Sequence, residues 1–105
     1  MNGILQGTTP KLVIEIPDTC PLTSVVDIEL TMKHCGQKTI YGLADVTLDA
    51  EDNTVTYAFT EAQTLALDPK ADLIWQLRLK TASEIVGTLP SRVRVYDLIS
   101  EVSMT

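Results

Sequence analysis

The sequence predicts an all-β protein, an immunoglobulin-like antiparallel β-sandwich of about seven strands. Three observations carry this. Several runs alternate apolar and polar residues, most plainly Val26-Asp27-Ile28-Glu29-Leu30-Thr31-Met32-Lys33. Successive side chains on a strand point to opposite faces, so such a run has one buried and one wetted face. No segment sustains a helical period. Turn-forming clusters separate the runs every ~8–12 residues, the spacing of a sandwich. A chain of 105 residues has room for one such domain, spanning 1–105.

The first strand is expected at 11–16, with Leu12, Ile14 and Ile16 on one face. Pro17-Asp18-Thr19-Cys20-Pro21 ends it, because two prolines so close make a turn or an extended link. The second strand is expected at 25–33, followed by the turn His34-Cys35-Gly36-Gln37, where Gly36 is free to take positive φ. A third is expected at 38–43, with 44–48 continuing or following it. Tyr41 and Leu43 share one parity, Val46 and Leu48 the other, which predicts a bulge or a change of sheet at 42–45.

Asp49-Ala50-Glu51-Asp52-Asn53 reads as a polar turn. At 54–60, Val55, Tyr57 and Phe59 face inward, and β-branched and aromatic residues suit a pleated surface. Thr60 and Gln63 stand at the capping-box interval, which predicts a single helical turn. Asp68-Pro69-Lys70 turns the chain again. At 72–80, Leu73, Trp75, Leu77 and Leu79 share a face, and Trp75 reads as core. Residues 81–90 form a loop in which 84–87 can extend a hairpin. A last strand at 91–98 turns Val93 and Val95 inward, and 101–105 is expected to fray.

The net charge is −6 and the pI about 4.5, which argues against a nucleic-acid partner. No apolar stretch approaches the ~20 residues of a membrane span. Met1-Asn2-Gly3-Ile4-Leu5-Gln6-Gly7 lacks the basic start and long apolar run of a secretory signal. The expected location is cytoplasmic on synthesis, with a virion released by lysis as the open route outward.

Candidate chemistry is sparse. His34 and Cys35 adjoin, but Cys20 lies across a strand, roughly 30 Å away at ~3.3 Å per residue, too far for a disulfide. A zinc site wants about four ligands at short spacings, so a solvated turn is the preferred reading. Asp49, Glu51 and Asp52 lack the Gly and terminal Glu of a calcium loop. No phosphate-binding glycine loop or nucleophile elbow is present. No catalytic residue, cofactor or metal is therefore assigned.

Charge gives one sharper expectation. If the first, second and fifth strands form one sheet, its outer face carries Glu15, Asp27 and Glu29. The other sheet would then carry Lys38, Arg78, Lys80, Arg92 and Arg94. These residues either cover a solvated sheet or form an interface of Arg78, Lys80, Arg92 and Arg94. In the second case like subunits would pack head to tail, acidic face on basic face, as a homo-oligomer.

Asn53-Thr54-Val55-Thr56-Tyr57-Ala58-Phe59-Thr60, Glu61-Ala62-Gln63-Thr64-Leu65-Ala66-Leu67 and Leu73-Ile74-Trp75-Gln76-Leu77-Arg78 together show a further pattern. A Thr-rich strand, a "T-x-E-Q-T-L" turn and an "I-Q-L-R" strand follow one another. Gly7-Thr8-Thr9-Pro10 and the Val-rich closing strand fit it too. The pattern resembles small immunoglobulin-like proteins of Firmicutes phages and prophages, including the N-terminal domain of baseplate upper proteins. The chain departs from it at 81–90, where a short "D-G-K" hairpin is usual. The resemblance implies a structural accessory protein of the tail, baseplate or neck. Its partners would be other virion proteins, and it would have no catalytic residues. The alternative is an immunoglobulin-like binding module for carbohydrate or protein on a bacterial particle or surface. Exposed aromatics would favour sugar.

Overall fold

Alternation becomes nine strands in the computed structural model, which describes residues 3–98. They are β1 (Gly3–Leu5), β2 (Lys11–Glu15), β3 (Val25–His34), β4 (Gln37–Tyr41) and β5 (Thr47–Asp49). β6 (Thr54–Ala58), β7 (Leu73–Thr81), β8 (Ile85–Gly87) and β9 (Ser91–Tyr96) follow. One short helix, α1 (Glu61–Leu65), and 3-10 turns at Leu22–Ser24 and Leu43–Asp45 complete the description. The tail expected at 101–105 lies outside the described residues.

The fold is an all-β sandwich. One sheet has the order β1-β9-β7-β3-β4, with β8 also pairing β7. The other has the order β2-β6-β5. Strands β2, β6 and β5 take the places of B, E and D of the immunoglobulin order, and β9, β7, β3 and β4 those of G, F, C and C′.

Three expectations change. There are nine described strands rather than about seven. The larger sheet is mixed, because β1 runs parallel to β9, with Ile4 opposite Val95. The strand at 25–34 belongs with β7 and β9, not with the strand at 11–15. All three share a cause. A strand of three residues is too short to show a period, so β1 escapes notice. Counting from residue 11 then shifts each strand one place along the order.

Other expectations hold. The parity change at 42–45 is a change of sheet: the 3-10 turn carries the chain from β4 to β5. Thr60 and Gln63 form the capping box of α1, the Gln63 N–H donating to Thr60 Oγ1 and the Thr60 N–H to Gln63 Oε1. Cys35 and Gly36 both take positive φ, 52° and 80°, the pattern of a two-residue type I′ hairpin.

The core lies between the sheets. Leu12, Ile14, Val55 and Tyr57 of the small sheet belong to one buried cluster with Ile28, Leu30, Leu77 and Leu79 of the large one. Each such side chain contributes roughly 1.5–3 kcal/mol of transfer free energy when fully buried. Trp75 is only half-buried and packs at the edge of this cluster.

The buried Asn53 fastens the 17–22 loop to the sandwich. Its Oδ1 accepts from the Leu22 N–H at 2.9 Å, and its Nδ2 donates to the Ile16 carbonyl at 2.8 Å. Its own backbone sits at φ 55°, a region Asn tolerates.

Candidate functional site

The strand register places charge on the large sheet's outer face, row by row. On β7, the odd positions Leu73, Leu77 and Leu79 are buried, so Ile74, Gln76, Arg78 and Lys80 point outward. Glu29 lies opposite Arg78, and Asp27 opposite Lys80. Asp27 and Glu29, expected on an acidic face, therefore share the large sheet's outer face with the cations, and of the three expected carboxylates Glu15 lies on the small sheet. Arg78 grips Glu29 in a two-pronged bond, Nε to Oε1 and Nη2 to Oε2, both 2.9 Å. This hydrogen bond holds the Glu29 carboxyl below its ordinary 4.5 and raises Arg78. Together with Ile85 these four residues line a shallow depression of about 120 Å³.

The four candidate interface residues thus separate into two pairs. Arg78 and Lys80 sit beside carboxylates. Arg92 and Arg94 lie on β9, toward the other end of the face. Arg92 faces Ile74 across β7 and β9, Ile74 faces Lys33 across β7 and β3, and Lys33 faces Lys38 across β3 and β4. A single row therefore reads Lys38, Lys33, Ile74, Arg92 across four strands. It lines a groove of about 380 Å³ with Thr31, Trp75, Gln76 and Pro90. Exposed Ile40, next to Thr31 in the neighbouring row, adds apolar surface. Lys33 was missed from sequence because its strand was assigned to the opposite sheet. Its outward parity was visible, but its neighbours were not.

Arg94 lies one step beyond, with its guanidinium 5.3 Å from the centroid of the Tyr96 ring. A Cβ on Gly3 would overlap that ring, so Tyr96 covers Gly3 as well as meeting Arg94.

His34 is engaged elsewhere. The Asp68 N–H donates to its Nε2 at 2.8 Å, and its Nδ1 lies 3.3 Å from the Asp72 carbonyl. A backbone N–H can only donate, so Nε2 is the acceptor and the neutral ring carries its proton on Nδ1. Cys20 is buried and Cys35 exposed, and both are free thiols. Asp49 Oδ1 accepts the N–H groups of Glu51 and Asp52, which shapes the acidic turn. Among the described residues no group of three or more His, Cys, Asp or Glu is placed to hold a metal ion.

A second concavity, about 270 Å³, opens between β4 and α1 beside Tyr41, Phe59 and Leu67. Its amide is already committed: Gln63 Nε2 donates to the Tyr57 hydroxyl at 2.6 Å and the Tyr41 hydroxyl at 3.3 Å. Burial, then the bond to Tyr57, pushes the Tyr41 hydroxyl up from 10.0 to about 12. No described helix is long and apolar enough to cross a membrane. No protein-family model matches the chain, and no curated protein matches it.

Proposed function

We propose that this chain is a non-enzymatic structural accessory protein of a phage or prophage particle, in the tail, baseplate or neck. It is made in the cytoplasm and joins other virion proteins through the outer face of its six-stranded sheet. The observation that carries this reading is the row Lys38-Lys33-Ile74-Arg92, which lines one groove with its three cations exposed and Ile74 half-buried. An apolar centre ringed by cations is the anatomy of a protein contact, in which Arg often dominates the energy. The resemblance of 53–67 and 73–78 to phage proteins supplies the kind of particle. His34, the only histidine, holds the 68–72 loop rather than facing this groove, in keeping with a role in contact instead of chemistry.

The alternative, a carbohydrate-binding module, needs an aromatic ring open to a sugar. Tyr96 is the exposed aromatic of this face, 49% accessible, but it meets Arg94 and lies over Gly3. Half-buried Trp75 is the aromatic that lines the groove itself, and it shares that wall with Lys33, Lys38 and Arg92, whose charges favour a protein partner over a neutral sugar.

The test is particle association. Lysogens carrying the gene are induced, and virions are banded on a density gradient and analysed by mass spectrometry. The chain should band with the particles, and Lys33→Glu with Arg92→Glu should release it. Recovery only from the soluble fraction would overturn the reading.

A further inference from the structure

The small sheet carries a row of opposite sign. Glu15 faces Thr54 across β2 and β6, and Thr54 faces Asp49 across β6 and β5. Ile14 and Val55 beside them are buried, so Glu15 and Asp49 lie on the sheet's outer side and are exposed. Glu51 and Asp52 continue this acidic strip around the β5–β6 turn, and both are exposed. No Lys or Arg occurs between Lys11 and Lys33 or between Lys38 and Lys70, so neither the turn nor the adjoining 17–24 loop supplies a cation.

The strip lies at the opposite end of the sandwich from the basic groove. Asn53 ties the acidic turn to Leu22, which leads directly into the start of β3 at Val25. The groove is centred near Lys33, eight residues along β3, or about 26 Å at the rise of a strand. Acidic and basic surfaces thus sit on opposite sheets and at opposite ends of a molecule 47 Å long. Surfaces so placed cannot satisfy each other within one chain.

We infer that the occupant of the basic groove is a second copy of this chain, whose acidic turn (Asp49, Glu51, Asp52) docks on Lys33, Lys38 and Arg92. This rests on the reading that the outer face of the large sheet is a docking surface, and it names the partner. The contact joins two different patches, so it is heterologous: each copy offers one free groove and one free turn. Repetition closes a ring or extends a filament, according to the rotation between copies. The charges are exposed, so salt should weaken the contact.

Multi-angle light scattering at low salt tests it. The mass should rise with concentration above the 11.5 kDa of one chain and fall back in high salt. Lys33→Glu with Arg92→Glu should leave a monomer, and so should Glu51→Lys with Asp52→Lys. Mixing the two variants should restore assembly, because each now complements the other. A chain carrying all four reversals should assemble alone. Circular dichroism confirms that each variant is folded. A wild-type monomer at every concentration in low salt, or failure of the mixed pair to associate, overturns the inference. If such a monomer still bands with virions and the groove variant does not, the groove docks a different virion protein. The proposed function then stands while self-association falls. If the wild type never bands with virions, the function falls by itself.

Discussion

The Asn53 side chain bonds Leu22, Ile16 and Pro17, each more than 30 residues away in the chain. Truncation to Ala leaves the Leu22 N–H and Ile16 carbonyl without their partner, and it keeps a β-carbon at φ 55° while removing the amide that offsets it. Asn53→Ala should destabilise by about 2–4 kcal/mol in urea melts, the range for buried groups left unpaired at a strained backbone. Asn53→Gly relieves the backbone alone and should cost less. Equal costs would show that φ contributes nothing. The sequence marked Asn53 only as a turn residue, since a turn asparagine and a buried one look the same in a string. What separates them is a loop more than 30 residues away, and no local pattern encodes that. The turn around Cys35 was readable from His34-Cys35-Gly36-Gln37, with Gly36 expected at positive φ, but Cys35's own positive φ was not. Both central residues of that turn take positive φ, which Asn adopts more readily than Cys. Cys35→Asn should therefore stabilise by about 0.5–1 kcal/mol, seen as a higher urea midpoint. An unchanged midpoint would mean the turn is unstrained.

Elements with a full period were legible, and short ones were not. β3 and β7 were placed nearly to the residue because alternation over nine or ten positions has one solution. The helical turn was readable from Thr60 and Gln63, whose reciprocal bonds form as the spacing requires. Sequence gave no sign that Gln63 also bonds two tyrosine hydroxyls. That link has a pH signature. Tyr41 titrates near 12 in the folded chain and near 10.0 when unfolded. The unfolded chain therefore loses its proton first, so this contribution is whole below pH 10 and fades as pH rises through about 12. Wild-type melting temperature should fall over that window more steeply than that of Tyr41→Phe. Parallel curves would remove Tyr41 as the cause. β1 escaped detection, yet Ile4 within it is fully buried. Ile4→Ala should cost about 2–5 kcal/mol. A loss below 1 kcal/mol would make β1 an ornament rather than a strand of the sheet.

For the whole molecule, the sandwich was legible but the partition of its strands was not. Alternation says that a strand has an inside, not which sheet it joins. The candidate site suffered most: Arg92 and Lys38 were recognised as basic surface, but their neighbour Lys33 was counted with the other sheet. Net charge also acts at this scale. At −6 the compact state repels itself, and added salt screens that repulsion. Melting temperature should rise with salt up to about half molar, where screening is nearly complete. A fall would mean that local pairs such as Glu29–Arg78 outweigh the global repulsion. The parallel pairing of β1 with β9 has one more consequence, for the order of events during synthesis. Strand β1 finds its partner only when β9 leaves the ribosome. Until Tyr96 has emerged, Ile4 has no pocket and β7 has an open flank where β9 belongs. From the emergence of β1 to that of β9 the sheet stays unclosed, and the arrival of β9 closes it.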